Sequence, residues 1–176
     1  MNKTLDNYLV EKYPKIFINR YGDMRETNMA FGFENRDGWF WILDQLCSSI
    51  QNYIDLNNLY GKEEKQIRQV IADQVKEKFG MLSFHHHGGD DYTKGMIRLA
   101  ESMSMSTCEF CGSTKNIGKT SGWVYTICKE CYDSPTIDNS FNIKISQFPW
   151  KESASRYPME AVKELRKIKI DKLNKT

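Results

Sequence analysis

Apolar positions set the first expectations along the chain. Leu5, Leu9 and Tyr13 stand four residues apart, which predicts a short helix from Thr4 to Tyr13, capped by Thr4 and stopped before Pro14. Ile16 to Ile18 suits a brief strand, Asn19 to Asn28 is polar and loop-like, and Phe31-Gly32-Phe33 suits another short strand. Trp39, Ile42, Leu43, Leu46, Ile50 and Tyr53 then recur with the 3.6-residue period of an amphipathic helix. Cys47 falls on that same face and reads as a small buried hydrophobe. A second helix is expected from about Lys62 to Phe79, carrying Ile67, Val70, Ile71, Val75 and Phe79 on one side, with Gly80 as its left-handed C-terminal residue. Met81 to His87 alternates like a strand and Gly88-Gly89 breaks it. Asp90 or Asp91 then caps a third helix from about Tyr92 to Met103, with Tyr92, Met96, Leu99 and Met103 facing inward.

Past the third helix the pattern thins. Trp123 to Ile127 alternates like a strand, Ile143 and Ile145 hint at another, and Pro158 introduces a last helix from Met159 to Asn174 with Ala161, Val162, Leu165 and Ile168 as its apolar stripe. Helices and strands interleave without βαβ regularity, which predicts an α+β fold. The expected organisation is a small mixed helix/strand domain over 1–105, an inserted four-cysteine zinc-ribbon module over 106–132, and a C-terminal helical extension over 133–176.

Composition narrows the classes. A length of 176 residues suits one domain with a small module, and an aromatic content of 12% supplies a core. The densest apolar run, Trp39 to Leu43, is far short of the ~20 residues of a membrane-spanning helix. The first seven residues hold no apolar stretch, so no secretory leader is expected. A net charge of only +2 gives no general attraction to membranes or nucleic acid.

The cysteines carry the firmest chemistry. Cys108-x2-Cys111 and Cys128-x2-Cys131, separated by 16 residues, have the spacing of a zinc site, and free thiols point to a reducing cytoplasm. Four thiolates fill a tetrahedral zinc shell and leave no position for water, so one structural Zn²⁺ per chain is expected. Three lysines and two glutamates lie between Cys108 and Cys131. With four thiolates and one Zn²⁺ the module sums to about −1, unlike a DNA-binding ribbon.

Two other clusters invite chemistry. His85-His86-His87-Gly88-Gly89-Asp90-Asp91 holds every histidine of the chain, and His85 and His87 share a face if the segment is a strand. With Asp90, Asp91 and Tyr92 they form a candidate site for a small nucleotide or for metal-dependent hydrolysis. The same residues also read as half-exposed strand positions followed by a helix cap. The tail from Lys151 carries a local charge of +4, so Lys163, Arg166, Lys167 and Lys169 are candidates for binding nucleic acid or an acidic partner. Glu160, Glu164 and Asp171 interleave them, as on a plain solvated face. No phosphate-binding glycine loop, serine-nucleophile elbow or zinc-deaminase motif occurs, so no catalytic residue is assigned.

Several blocks in fixed order carry a family likeness. They are Phe31-Gly32-Phe33-Glu34 with Asp37-Gly38-Trp39-Phe40, Gln74 to Phe84, Gly88 to Tyr92, Ala100 to Ser104, Cys108 to Gly112, and Gly122-Trp123 with Thr126-Ile127-Cys128. Over roughly residues 5 to 132 the chain resembles a group of small, uncharacterised phage and prophage proteins with a C-terminal pair of zinc knuckles. Where that pattern carries aromatic residues, this chain has His85 to His87. The resemblance implies a phage product working in bacterial cytoplasm. The expected function is a non-catalytic binding protein for a host or phage protein, in counter-defence or host takeover. A nucleic-acid-binding regulator using the ribbon and basic tail is the alternative.

Overall fold

The computed structural model describes residues 1–61 and 66–134, together with a strand at 145–147. The side chain of Asn2 accepts from the Leu5 amide at 3.0 Å and so starts α1 (Lys3–Lys12); Thr4, the expected cap, lies exposed within the helix. Leu9 and Val10 are buried, and the buried Tyr13 hydroxyl donates to the Asp44 carboxylate at 2.8 Å. The strand expected at Ile16 to Ile18 is a run of turns. Ile16 and Phe17 both enter the core there, whereas an alternating strand would send adjacent side chains to opposite faces.

Asn28–Phe31 forms a 3₁₀ turn, so the strand expected at Phe31 shrinks to β1 (Phe33–Glu34). A second 3₁₀ turn, Asp37–Trp39, leads into α2 (Phe40–Tyr60). The periodicity is borne out on α2: Ile42, Leu43, Leu46, Cys47 and Ile50 are all buried. Burial raises the Cys47 thiol pKa well above its ordinary value, as befits an inert core residue.

The helix expected over 62–79 is corrected by the structure. Residues 66–70 are irregular, and Ile71–Glu77 is strand β2, hairpinned to β3 (Leu82–His87). A bulge sets which strand residues face inward, so that Val75 is buried while Ile71, four residues earlier, is only half-buried. Ala72 pairs with His86 and Gln74 with His85, so Asp73 is an extra residue on β2. Ala72 and Val75 both face the core although three residues apart, as the bulge allows. Gly80 does adopt the left-handed conformation (φ 71°), but in the hairpin turn, beside Phe79 at φ 54°.

The first sheet has order β1-β2-β3, with β1 parallel and β3 antiparallel to β2. Its inner face packs Phe33, Val75 and Phe84 around Phe17, whose ring centroid lies 4.9 Å from that of Phe33. The third helix, α3 (Asp91–Ser104), packs against both α2 and β3. Its buried positions are Thr93, Ile97, Ala100 and Ser104, one residue later than expected. Tyr92, Leu99 and Met103 are exposed and Met96 is half-buried. Small residues inside let the helix approach closely, and their hydroxyls are satisfied: Ser104 Oγ accepts from the Leu82 amide at 2.8 Å and donates to the Glu101 carbonyl.

The cysteine module builds a second sheet of order β5-β4-β6 from β4 (Ile117–Thr120), β5 (Thr126–Cys128) and β6 (Ile145–Gln147), all antiparallel. A single helical turn, α4 (Lys129–Tyr132), follows β5. The chain is thus α+β with a ribbon-like cysteine module, and residues 145–147 from beyond its expected boundary complete the ribbon. The helix expected at Met159 to Asn174 lies outside the described residues.

Candidate metal centre

Each cysteine pair sits on a tight turn that its own backbone closes. In the first, the Gly112 amide donates to the Cys108 carbonyl at 2.9 Å and the Cys108 amide donates to the Ser113 carbonyl at 2.8 Å. Gly112 has φ 78°, a conformation that costs a glycine little. In the second, Cys128 ends β5 and caps α4, its sulfur accepting from the Cys131 amide at 3.4 Å. The β4–β5 register, with Ile117 opposite Cys128, carries the second turn to the first.

The four Sγ atoms lie within 4.8 Å of one another, and Cys111 and Cys128 approach to 3.6 Å. Among the described residues this is the one group of three or more His, Cys, Asp or Glu side chains able to share an ion. Burial, with the neighbouring thiols, pushes the Cys128 pKa up to about 12 and raises that of Cys131. Burial also acts against the Cys111 thiolate, but hydrogen bonds from the Ser113 backbone and the other three thiols outweigh it and lower that pKa. Cys128 and Cys131 therefore hold their protons more tightly than Cys111 does. A metal ion entering the cluster would displace those protons, so binding strengthens as pH rises.

The module is clamped to the main domain at the start of α2. The Gly38 amide donates to the Glu109 carbonyl at 2.8 Å, and the fully buried Trp39 indole donates to the Thr107 carbonyl at 2.9 Å. A Cβ on Gly38 would lie 2.2 Å from the Cys108 carbonyl oxygen, so only glycine permits this approach. The Arg36 guanidinium covers the Phe110 ring at 4.4 Å, and the Thr126 hydroxyl donates to the Gly80 carbonyl at 2.5 Å. Glu109 is buried at this junction. Its Oε1 accepts from the Arg36 amide, and burial raises the carboxyl pKa to about 7. Sequence reasoning placed Trp39 only in the core and missed Gly38 as the contact. The adjacency Asp37-Gly38-Trp39 at a helix start was the available signal.

The histidine–aspartate segment is arranged differently. His85 and His87 are exposed on β3, His85 near Ser83 Oγ at 3.2 Å and His87 Nδ1 at 2.8 Å from Asp73 Oδ1. Asp90 caps α3, accepting from the Thr93 amide at 2.9 Å, and also accepts from the Tyr53 hydroxyl at 2.9 Å. Tyr92 stacks on Tyr53 with centroids 4.5 Å apart, while Asp91 is open to solvent beside Lys94. Asp90 and Tyr92 are thus joined through Tyr53, and the two outer histidines have separate partners. Lys163, Arg166, Lys167 and Lys169 lie outside the described residues.

No family model, curated protein or solved structure matches this chain. Among the described residues, no helix is long and apolar enough to cross a membrane.

Proposed function

We propose that the four cysteines hold one structural Zn²⁺ and that the chain is a non-catalytic, phage-type binding protein. Its target is a host or phage protein in the bacterial cytoplasm, in the service of counter-defence or host takeover. The convergence of the four sulfurs carries the metal half of this reading. A tetrahedral shell with Zn–S of about 2.3 Å separates the sulfurs by about 3.8 Å. The sulfurs already lie 3.6 Å apart at Cys111 and Cys128 and within 4.8 Å throughout, so a small contraction completes the shell. Zinc there supplies cross-linking. All four positions are taken by protein, which leaves no site for a substrate or an activated water. Support for the binding half comes from the family likeness and from the large apolar side chains left exposed on the helices.

Two measurements test the reading on the full chain. Native mass spectrometry is expected to find one zinc per chain, and a folded module lacking metal would overturn that assignment. Affinity capture from bacterial lysate, washed through a salt series, is expected to retain one protein in stoichiometric amount at high salt. Nucleic acid released at moderate salt would instead transfer the function to the ribbon and the basic tail.

A further inference from the structure

The tips of two hairpins meet where the cysteine module docks, and each leaves an aromatic ring in solvent. The β2–β3 turn is the two-residue loop Phe79-Gly80, closed by mutual backbone hydrogen bonds between Lys78 and Met81 at 2.8 and 3.2 Å. Both loop residues have positive φ, 54° and 71°, as in the type I′ turn for which Asn-Gly is the favoured pair. A phenylalanine in that conformation strains the backbone. Packing does not offset the strain, because its side chain is 75% exposed. The β4–β5 turn presents Trp123, 64% exposed, on a loop that Thr120 closes: its hydroxyl donates to the Trp123 carbonyl at 2.6 Å and accepts from the Tyr125 amide at 2.7 Å. The two tips are clipped together. The Thr126 hydroxyl donates to the Gly80 carbonyl, and the Lys119 ammonium donates to the Phe79 carbonyl at 3.4 Å. Phe79 and Trp123 line one cleft of about 230 Å³ with Glu77, Lys78, Gly122 and Val124.

We infer that this cleft binds single-stranded nucleic acid, stacking an unpaired base on Phe79 and Trp123 with the flanking phosphates at Lys78 and Lys119. Every base offers a flat π-face, and two exposed rings on tips fixed by hydrogen bonds are a platform for it. The cleft is smaller than the about 300 Å³ at which sites for whole drug-sized ligands begin, and suits a single ring system. Charge completes the selection. Among the described residues neither lysine has a carboxylate partner: Lys78 lies over the Phe79 ring at 5.8 Å, and Lys119 meets only the Phe79 carbonyl. Glu77 is the one acid lining the cleft, and one of its oxygens is taken by the Gly80 amide at 2.6 Å. A partner protein would need roughly 800 Å² of contact per side, far more than two rings supply. An occupant that uses the Phe79 ring also accounts for a strain that folding leaves unexplained. With two phosphate contacts the affinity comes mainly from stacking, in keeping with a net charge of only +2.

Fluorescence anisotropy on the full chain tests the inference, with labelled oligo-dT and oligo-U strands of about 12 nucleotides. The wild type is expected to bind both, with log K falling against log salt at a slope of about −1.4, the value for two phosphate contacts on a single strand. Phe79→Asn should weaken binding at least about tenfold and, by giving the turn its preferred residue, raise the thermal midpoint by about 2–4 °C. A phenylalanine with a purely structural role would not show that opposition. Trp123→Ser should weaken binding to a similar degree with unchanged metal content. Leu99→Ser, which removes an exposed apolar residue outside the cleft, should bind as the wild type does. A wild type that binds neither strand at low salt overturns the inference. Affinity that stays unchanged in both cleft variants overturns it too, by placing the strand elsewhere. A free mononucleotide that competes as well as an unlabelled strand overturns the strand as occupant. The inference does not rest on the protein-binding reading, and the purified chain brings no partner protein, so either can fail without the other.

Discussion

The main domain and the cysteine module solve the problem of folding with different means. Among the described residues, the domain buries a continuous core of twenty-one side chains running from Leu9 to Ala100. The module's own buried core is Ile127 with Cys108 and Cys128, so two of its three members belong to the candidate metal cluster. Apolar burial contributes about 1.5–3 kcal/mol per large side chain. One isoleucine cannot offset the ordering of more than twenty residues at about 1–2 kcal/mol of backbone entropy each. The domain is thus held by burial, whereas the module depends on the surface it docks against and, on the proposed reading, on its metal.

The sharpest way to break that contrast is Cys128→Ser. Removing one of four thiolates forfeits much of a binding free energy on the order of 10 kcal/mol, which in such a module is folding free energy. The expected outcome is loss of the metal and fast hydrogen exchange across residues 106–128, with α2 still protected. Loss of protection in α2 as well would show that the two regions fold as one. Leu43→Ala attacks the other side. Leu43 is fully buried, so the cavity should cost about 2–5 kcal/mol in chemical denaturation, while the metal-to-chain ratio stays at one.

The junction ranks next. Gly38→Ala drives a methyl group into the Cys108 carbonyl and the Gly112 amide, both backbone atoms that cannot rotate away. Trp39→Phe leaves the Thr107 carbonyl without its donor. Each should cost about 1–3 kcal/mol and speed metal loss to a chelator. Because both act on one contact, the double variant should cost less than the sum of the singles. Strict additivity, with unchanged chelation rates, would show that the module gains nothing from docking.

The same contrast explains what could be read from the sequence. α2 was legible because its buried face is made of large apolar residues at helical spacing, and the four-cysteine cluster because paired C-x2-C spacing is what a tetrahedral metal site requires. β2 was misread because Ile71, Val75 and Phe79 stand four residues apart as on a helix, although only Val75 of the three is buried and Phe79 is exposed in the hairpin turn. The inner face of α3 was assigned one residue early because its inward residues include Thr93, Ala100 and Ser104, whereas the conspicuous Tyr92, Leu99 and Met103 face out. Hydrophobicity marks what could be buried. It does not distinguish burial within the chain from burial against another one. Strand β4 was not foreseen, since Ile117-Gly118-Lys119-Thr120 has a single large apolar residue and is held by pairing on both edges. Gly38 escaped notice because its role is to be absent of side chain where another segment passes.

The smallest expected effect concerns Asp90, where a residue singled out for ligand chemistry is engaged in holding a helix end. Its carboxylate accepts from the Thr93 amide and the Tyr53 hydroxyl. Its slight burial disfavours the charge, but these hydrogen bonds outweigh it and hold the pKa below the usual carboxylate range. A carboxyl pKa lowered on folding adds stability above the unfolded-state value, and that stability is lost as pH falls through the folded-state value. Asp90→Ala should therefore cost about 1 kcal/mol at neutral pH, the ordinary worth of an N-cap. The gap between wild type and variant should narrow as the solution is acidified. Metal loss in acid affects both proteins alike, so the difference between their thermal midpoints isolates the cap. A gap that holds constant down to strongly acidic pH would mean that Asp90 contributes through packing with Tyr53 and not through its charge.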